Sequence, residues 1–394
     1  MQQYDVAIVG GGPIGGHIAK KIAEKNYNVA IFEKNNQIGI PLNCAGLVTQ
    51  KVFEFLDFKK ELVTQNYIKG AHIHSPSNKT LSIGGNKVHA LVIDRTKFDQ
   101  EIIKKSEERG ANLFLKNKVL SIQIHRSHVE LKTSNNDIKC KLLVGADGPH
   151  STVRKNLPFS KPTEFLKAFG AEMTNTNLDP NFVEIFVGKN ISPDFFAWII
   201  PTNKDGTEAR AGLCIGQNDA SSPNHYFSKF LKNNYTQSFL KDSKINSKIG
   251  GLVPLGALKK TCLSNVMLVG DAAAQVKPTS GGGIYTGLLC ANHCSNVAID
   301  ALSKNDFTIK SLKKYHKLWT ADIGRELFLG MKFRKIFRNL SDKQFDKYID
   351  KFQNPKIIET FNRYGDIDYP SKLVKPLLKR APTLLKLAPN MLKD

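Results

Sequence analysis

The chain opens with an apolar stretch that runs directly into a glycine-rich turn. Residues 4–9 are followed by Gly10, Gly12 and Gly15 in the spacing G-x-G-x-x-G, with Pro13 inside the motif. Glycines at these positions allow a tight turn and bring the backbone amides of the next helix close to a pyrophosphate. The sequence therefore predicts a strand, a turn and a helix that bind a dinucleotide.

The segment that follows completes a βαβ unit. Isoleucines recur every four residues between positions 14 and 22, which predicts a helix whose apolar stripe packs on a sheet. A second apolar strand over residues 28–32 ends at Glu33, about 20 residues beyond the glycines, where a carboxylate can bind ribose hydroxyls. The same carboxylate disfavours the additional phosphate of NADP. Lys34 follows Glu33 and is predicted to contact the cofactor as well.

A second nucleotide-binding element near residue 270 indicates which dinucleotide is bound. Residues 265–269 predict a strand that ends beside Asp271, whose carboxylate can bond ribityl hydroxyls. A glycine run that includes Gly282 and Gly283 then precedes Ile284 and starts a helix, whose positive end can stabilise an anionic reduced flavin. NAD has no group that needs this element, so the two halves together predict FAD.

A third strand also ends in an acidic turn. Residues 142–146 are apolar and lead into Asp147 and Gly148. Asp147 can stabilise the crossover segment of the chain that binds the flavin. An ordinary Asp-Gly turn with Ser151 as a helix cap explains the same residues.

Arg95 is a further candidate for cofactor binding. It lies in the segment I-D-R-T-K-F-D and is placed to reach the FAD phosphates or the edge of the isoalloxazine ring. A surface ion pair with Asp94 or Asp99 is the alternative.

In this order, the glycine fingerprint, Asp147-Gly148 and Gly270-Asp271 resemble the flavoproteins of the p-hydroxybenzoate hydroxylase fold. Residues 41–46 (P-L-N-C-A-G) match the P-x-x-C-x-G motif of geranylgeranyl reductases, and residues 196–201 (F-A-W-I-I-P) are similar to their Y/F-x-W-x-F-P motif. The resemblance covers residues 1 to about 325. It implies an enzyme that saturates isoprenoid double bonds, as the archaeal digeranylgeranylglycerophospholipid reductases do with ether lipid chains.

Reduction of an isolated alkene needs hydride on one carbon and a proton on the other, inside a dry slot that holds a long chain. Phe195, Phe196 and Trp198 can form an aromatic wall of such a slot, and Pro201 ends the strand. Ordinary core packing is the alternative for these aromatic residues.

The resemblance places Cys44, Ala45 and Gly46 beside the flavin and implies that Cys44 positions the reaction or the flavin. The predicted catalytic residues are Cys44 and Trp198. Donation of the proton by Cys44 is a hypothesis based on its place in the motif, and a buried thiol that only packs is the alternative.

The expected fold is α/β, with a Rossmann-like FAD-binding domain, an inserted β-sheet substrate domain and C-terminal helices. Residues 1–155 form the first part of the FAD domain, with an excursion toward the substrate at 40–88, and residues 156–261 form the inserted sheet. Residues 262–304 close the FAD domain, and residues 305–394 form a basic helical segment.

The charge indicates an anionic partner, because 57 Lys and Arg against 35 Asp and Glu give a formal net charge of +22. No nucleic-acid-binding motif is present, so no nucleic-acid partner is expected and an anionic membrane surface fits better. A general lysine-rich bias of the proteome explains the same charge.

Two C-terminal segments mix basic and apolar residues. Residues 332–338 alternate in this way and suggest an interfacial helix, while residues 372–392 combine leucines and lysines with Pro376, Pro382 and Pro389. The prolines predict short helices instead of one long helix. These helices can lie in the headgroup region or cover the substrate channel, and the sequence leaves both open.

No apolar run approaches the roughly 20 residues of a spanning helix, and the first strand begins by residue 4, which leaves no room for a signal peptide. The six cysteines form no C-x-x-C pair, so neither a metal site nor a redox disulfide is predicted. A cytoplasmic protein at the inner face of the cell membrane is the expectation, since free thiols suggest a reducing compartment.

A single dinucleotide fingerprint means that no separate nicotinamide domain is expected. The electron donor therefore binds transiently, and NADPH, a reduced ferredoxin or a deazaflavin is compatible with the sequence. Two other functions stay open: a flavin monooxygenase or epoxidase of the same fold, and a lipid-binding protein in which FAD is structural.

Overall fold

The computed structural model describes residues 2–382 and 384. In chain order the strands are β1 (Gln2–Val9), β2 (Val29–Phe32), β3 (Leu47–Val48), β4 (Thr64–Ile68), β5 (Gly70–His74), β6 (Thr80–Gly84), β7 (Ala90–Ile93), β8 (Asn112–Phe114), β9 (Val119–Ile124), β10 (Val129–Thr133), β11 (Asp137–Gly145), β12 (Glu164–Thr174), β13 (Phe182–Val187), β14 (Phe196–Pro201), β15 (Glu208–Gly216), β16 (Lys244–Leu255), β17 (Cys262–Leu263) and β18 (Val266–Leu268). The α-helices are α1 (Pro13–Ala23), α2 (Arg95–Glu107), α3 (Thr152–Asn156), α4 (Pro223–Leu231), α5 (Gln237–Leu240), α6 (Ile284–Lys304), α7 (Ile309–Trp319), α8 (Arg325–Asn339), α9 (Asp342–Phe352), α10 (Pro355–Tyr364) and α11 (Ser371–Arg380). Shorter helical turns cover Gln50–Phe55, Lys60–Leu62, Gly270–Ala273 and Thr320–Gly324.

The first sheet has a parallel centre with the order β18-β11-β1-β2-β8. In its register Ile8 lies between Val144 and Ile31, so three apolar strands share a central row. These strands are buried on both faces, as the continuous apolar runs in the sequence require. One face packs on α1, α6 and α7, and the predicted stripe on α1 points into that core through Ile18 and Ile22.

The second sheet has seven strands in the order β16-β12-β15-β14-β13-β5-β6. Five of them come from the segment predicted as an inserted sheet, and β5 and β6 come from the predicted excursion at 40–88. Alternation along the strands separates two faces. One face, including Ala197 and Ile199, packs under α4 and α5, whereas the other carries Phe196, Trp198 and Arg210 toward the FAD-binding half.

A third sheet of β3, β7 and β4 joins the two larger ones. The loop before β3 contains Cys44. Asp94 directly follows β7, and its side chain caps α2 by accepting a hydrogen bond from the Lys97 amide. Arg95 is thus the first residue of α2 and lies close to the Cys44 loop. The expected α/β class is confirmed, and β12 and β13 are strands within the segment that the sequence predicted as an inserted sheet.

Two expectations concern the C-terminal helices: α11 is short, as the prolines predict, although Pro376 lies within it, and the segment 332–338 is partly buried. The interfacial helix suggested for residues 332–338 is part of α8, and its Arg334 is buried in an ion pair with Glu164 and donates to the Asp194 carbonyl at 2.7 Å. Ile336 is buried as well, because this side of α8 packs on the second sheet. Pro376 lies inside α11 and does not break it, while the predicted features at 385–392 lie outside the described residues.

Candidate functional site

The nucleotide-binding turn has the geometry that the glycine spacing predicted. Gly10 has φ +107°, and a Cβ there would lie 2.4 Å from the carbonyl oxygen of Ala146. A Cβ at Gly15 would lie 2.0 Å from the Gly10 oxygen, so neither position accepts a side chain. Gly12 is the N-cap of α1 without a side-chain cap, Pro13 is the first residue of the helix, and a Cβ at Gly12 would point into open space. The start of α1 therefore fits a pyrophosphate.

Glu33 lies across this turn at the end of β2. Its Oε2 accepts a hydrogen bond from the Gly11 amide at 2.9 Å, and its Oε1 accepts one from the Asn35 amide at 2.9 Å. The two amides fix the carboxylate, and each oxygen keeps a second lone pair for a ribose hydroxyl. Lys34, the neighbouring predicted contact, is exposed, and the described residues provide no hydrogen-bond partner for its side chain.

Asp271 approaches the start of α6. Its Oδ1 lies 2.9 Å from the position that a Cβ at Gly283 would occupy, next to the first residue of α6, Ile284. Burial raises the pKa of Asp271 to about 6, against the lowering effect of Arg95 and Arg154. Within residues 2–382 and 384 no protein group donates a hydrogen bond to this carboxylate, so it fits an external hydroxyl such as those of the ribityl chain.

The loop before α6 is closed by its own backbone. The Gly281 amide donates to the Lys277 carbonyl at 2.9 Å, and the Lys277 amide donates to the Gly282 carbonyl at 3.1 Å. The helix has no side-chain cap at Gly283. Free amides and the positive end of a 21-residue helix are suited to the electron-rich edge of a flavin.

Asp147 is bound by its own turn. It accepts hydrogen bonds from the Ser151 hydroxyl at 2.6 Å and from the Thr152 and Val153 amides at 2.6 and 3.1 Å. These hydrogen bonds form the Asp-Gly turn with a Ser151 cap, which was the alternative explanation for these residues. Contact of Asp147 or Gly148 with a cofactor stays a prediction, although both residues are half-buried at the mouth of the nucleotide turn.

Arg154 is a connection that sequence reasoning missed. It is buried in the middle of α3 and donates to the Ala272 carbonyl at 2.8 Å and the Pro149 carbonyl at 2.6 Å. Because Ala272 follows Asp271, Arg154 ties the Asp147 turn to the Asp271 turn. Its place in the sequence, three residues after a capping serine, gives no sign of this contact.

Arg95 makes the ion pair that was the alternative to a phosphate contact. Its guanidinium bonds both oxygens of Asp99 at 2.9–3.2 Å, and this pair is buried instead of lying at the surface. Burial alone would lower the pKa of Arg95, but Asp99 and the nearby Cys44 raise it above the usual range. Arg95 is therefore a cation fixed by Asp99, and its charge acts on Cys44 and Asp271.

The Cys44 loop is held by Arg210, a residue of the second sheet that the sequence did not single out. The Gly46 amide donates to the Cys44 sulfur at 3.4 Å. Arg210 donates to the Ala45 carbonyl at 3.2 Å and to the Ile93 carbonyl at 2.9 Å, and its Nη1 would lie 2.3 Å from a Cβ at Gly46. The signal that existed was weak: an arginine among the apolar residues of β15, with its side chain on the face toward the FAD domain.

The aromatic wall is present and faces the same loop. Phe195 and Phe196 stack at 4.3 Å between ring centroids, and Phe196 meets Trp198 edge-on at 6.1 Å. Trp198 is half-buried and packs in a cluster that includes Ala45, while Phe195 lies 3.6 Å from a Cβ position at Gly281. The wall thus lies next to the glycine loop before α6 and packs against the same hydrophobic cluster as Ala45 of the Cys44 loop.

Other predicted residues lie farther from this meeting point. Pro201 is buried at the end of β14, where its carbonyl accepts from Asn66 at 3.1 Å. Five cysteines other than Cys44 are buried free thiols in the described structure. On a hairpin of the first sheet, His125, His128 and Glu130 place ligand-type atoms within 4.8 Å of one another, but Glu130 already pairs with Lys139 at 3.1 Å.

The geometry defines a class of protein: a dinucleotide turn, a ribose carboxylate and a glycine-capped helix converge on one cofactor, which is FAD. Residues 3–297 match the family described as FAD binding domain, and the chain belongs to that family. Within it, the chain is 30% identical over 400 residues to a digeranylgeranylglycerophospholipid reductase of Methanocaldococcus jannaschii, covering 99% of this chain and 98% of the relative. It therefore belongs with these archaeal flavoproteins, as the sequence resemblance indicated.

Other comparisons agree. An uncharacterized protein of Methanocaldococcus jannaschii is 33% identical over 384 residues, and the match covers 95% of this chain and 95% of the relative. A geranylgeranyl bacteriochlorophyll reductase-like protein from Thermoplasma acidophilum has the same fold with a TM-score of 0.86, full coverage of both chains and 22% identity. The p-nitrophenol 4-monooxygenase of Pseudomonas putida shares the fold at a TM-score of 0.72 and 15% identity, covering 95% of this chain and 99% of its own. These structures confirm the expected p-hydroxybenzoate hydroxylase-like architecture.

Proposed function

We propose that this protein is an FAD-dependent reductase that saturates the C=C bonds of geranylgeranyl chains in an archaeal-type ether lipid precursor. The observation that carries the proposal is the meeting of the Cys44 loop, the Trp198 wall and the glycine loop before α6. A thiol, an apolar wall and a flavin-binding helix are what hydride and proton delivery to an alkene require. The relatives named as digeranylgeranylglycerophospholipid reductases support the same substrate class.

FAD fits the residues present: Gly12 and Pro13 at the pyrophosphate, Glu33 at the ribose, Asp271 at the ribityl chain and Gly282 at the ring. When bound and reduced, FAD supplies a hydride to one alkene carbon. The protein supplies the rest, namely a water-poor surface for the prenyl chain and a proton for the second carbon.

Cys44 is proposed to donate that proton. Transfer from the Cys44 sulfur to the second carbon forms the new C–H bond and leaves a thiolate, which regains its proton from water. The Gly46 amide donates a hydrogen bond to this sulfur at 3.4 Å, and the buried Arg95 guanidinium lies close to it. These polar surroundings of Cys44 support proton donation over a purely packing role.

The prenyl chain is proposed to lie along the face of the second sheet that points to the FAD domain. Phe195, Phe196 and Trp198 form its wall, and a Cβ added at Gly251 would have no neighbour closer than Asn43 Cβ at 4.0 Å. From Trp198 the apolar surface continues through Phe196 to the packed side of α8. Pro201 would then border the far end of this slot, and the substrate domain would comprise residues 156–261 together with β5 and β6.

An external reductant is proposed to reload the flavin, with NADPH, a reduced ferredoxin and a deazaflavin as the donors to compare. The single dinucleotide turn supports a donor that binds only transiently. Anaerobic stopped-flow reduction of the FAD-loaded protein by each donor would identify the one that acts fastest.

We also propose a peripheral contact with an anionic membrane at the cytoplasmic face. No helix in the described part of the chain is both long and apolar enough to cross a bilayer. On α8, Phe328 is 62% exposed with the Lys332 ammonium 5.7 Å from its ring, and the exposed residues Lys375, Lys379 and Arg380 lie on the adjacent α11. Each basic residue near an anionic surface contributes about 1 kcal/mol.

The membrane contact is tested by sedimentation with vesicles that contain anionic lipid. Replacing Lys375 and Lys379 by Glu, or Phe328 by Ser, is expected to reduce the bound fraction. Lys141→Glu on the first sheet is the matched charge control. Equal binding of all variants would remove the membrane role.

The reduction itself is tested by incubating dithionite-reduced protein with a geranylgeranyl lipid in the absence of O2. The molecular mass of the lipid is then measured by mass spectrometry. We expect a gain of two hydrogens for each double bond. A hydroxylase or epoxidase needs O2 and would leave the lipid unchanged, and a lipid-binding protein with structural FAD would also leave it unchanged.

The role of Cys44 is tested in the same assay. Cys44→Ser is expected to lower the rate of saturation while FAD stays bound, with Cys262→Ala as the control for loss of a remote thiol. A Cys44→Ser rate equal to that of the wild type would exclude Cys44 as the proton donor.

A further inference from the structure

The chain returns to the flavin site between α10 and α11. Residues 366–370, which we call the C-terminal strap, contain Asp368, whose side chain is completely buried. Asp368 Oδ1 accepts a hydrogen bond from Lys277 Nζ at 2.7 Å, and Oδ2 accepts one from the Thr49 hydroxyl at 2.5 Å. Lys277 Nζ also donates to the Ile367 carbonyl at 3.1 Å. One carboxylate thus joins three segments that are distant in sequence.

Both partners of Asp368 belong to elements of the candidate site. Lys277 closes the glycine loop with its backbone, and its Cε would lie 3.1 Å from a Cβ at Gly282. Thr49 directly follows β3, the strand that continues the Cys44 loop. The position of Asp368 therefore influences the loops on both sides of the proposed isoalloxazine position.

The strap has a second contact with the flavin-binding helix. The Tyr369 hydroxyl lies 3.1 Å from that of Tyr285, the second residue of α6. Farther out, Asp366 pairs with Lys51 and Lys372 at 2.9 Å, and both lysines are more than one third exposed. The inner contacts are thus buried and the outer ones are open to solvent, where ion pairs contribute little.

We propose that Asp368 is a positioning residue of the flavin site and that the C-terminal strap is part of the cofactor-binding structure. Without Asp368, the ammonium group of Lys277 would be a buried charge with no counter-ion, which is strongly unfavourable. The glycine loop therefore keeps its closed form only while the strap is in place. The proposal rests on FAD binding at this site and not on the identity of the lipid. It also gives the C-terminal segment a role at the active site that is separate from any membrane contact.

The test uses the full-length protein with Asp368→Asn, and Lys372→Met as a control at the exposed outer pair. FAD affinity is measured by quenching of flavin fluorescence, and the flavin environment by the shape of its visible absorption band. Asp368→Asn is expected to raise the Kd for FAD at least about 10-fold and to change the band shape, whereas the control changes the Kd by less than about 2-fold. Chymotrypsin should cut faster at Tyr369 in Asp368→Asn.

A second variant separates positioning from general destabilisation. Lys277→Met combined with Asp368→Leu replaces the ion pair by apolar side chains of similar volume, which buried pairs often tolerate. This double variant is expected to recover the FAD affinity and the band shape. Wild-type FAD binding by Asp368→Asn would overturn the proposal, and so would loss of FAD binding by both variants in proportion to a fall in Tm.

These readouts need no lipid. A failed alkene assay therefore contradicts the proposed reaction and leaves the strap intact, while an unaffected Kd contradicts the strap and leaves the reaction intact.

Discussion

Arg210 on β15 holds Ala45, the residue after Cys44, through a 3.2 Å hydrogen bond from its guanidinium to the Ala45 carbonyl. The same guanidinium bonds Ile93, Gln65 and Glu172, so its charge is distributed over three strands. The second sheet thereby fixes the loop that carries the proposed proton donor, and it does so with a buried, permanently charged group.

Arg210→Met is expected to lower kcat/KM for alkene reduction by about 100-fold, because a shift of the Cys44 loop by about 1 Å misplaces the proton donor. FAD should stay bound, since Gly12, Glu33 and Asp271, the predicted contacts outside this loop, are unchanged. Lys141→Met, which breaks only an exposed pair with Asp5, is the control. Steady-state kinetics decide the matter, and a variant as active as the wild type would contradict the role of Arg210.

Gly212→Ala is expected to displace Trp198, because a Cβ at Gly212 would lie 2.7 Å from Cζ2 of the indole ring. The rate of lipid saturation should fall roughly 10-fold or more, as expected when an oriented substrate wall shifts, and tryptophan fluorescence should change. Gly250→Ala on β16 is the matched control, since its Cβ would have no neighbour closer than 3.7 Å. Equal effects of the two substitutions would argue against a specific role of Trp198.

Asp271→Asn should have opposite effects on stability and on FAD binding. Because the pKa of Asp271 in the folded protein is about 6, above its ordinary value of 3.8, the folded state favours the protonated acid. The free energy of unfolding of the apoprotein therefore decreases as pH rises from about 4 to about 6, and that cost persists at pH 7. Asn removes it, so the apoprotein should gain on the order of 1 kcal/mol at pH 7 while its affinity for FAD decreases.

Urea denaturation between pH 4 and pH 7 and a fluorescence titration with FAD measure these two effects. Asp205→Asn in an exposed loop is the control. A variant that binds FAD normally would remove Asp271 from the cofactor site.

His17 should make the fold sensitive to acid. It lies on α1, buried against the turn that contains Phe55, and neither ring nitrogen has a partner among the described residues. Burial lowers its pKa to about 3, with Lys21 and Lys20 adding to the shift. Between pH 3 and the ordinary value of 6.5 the unfolded chain binds one more proton, so stability is complete above about 6.5 and decreases by up to about 1.4 kcal/mol per pH unit below it.

His17→Leu is expected to reduce this slope and to stabilise the protein at pH 7 by roughly 1–2 kcal/mol, because an unsatisfied polar ring is removed. Denaturant unfolding from pH 4 to pH 7 checks both effects, with His225→Leu on the exposed side of α4 as the control. An unchanged slope would mean that His17 is not the group responsible.

The sequence determined the cofactor-binding half of the site. The glycine spacing, the acid after β2 and the glycine run before α6 act through local geometry: tight turns, free helix amides and a carboxylate at a strand end. Such features depend on neighbours close in the chain, and the structure shows Gly10, Glu33 and Asp271 where the pattern required them. The motif of residues 41–46 likewise located the Cys44 loop.

Only the tertiary structure determined the contacts between segments that are distant in the chain. Arg95 turned inward to Asp99 and Cys44, Arg334 became buried against Glu164, and Pro376 was accommodated inside α11. Whether a basic side chain lies on a membrane-facing surface or in a buried ion pair depends on which element packs over it, and neither composition nor periodicity carries that information. The positions of Arg210 and Asp368 have the same cause: long-range packing places a charge beside backbone groups that no local pattern could associate with it.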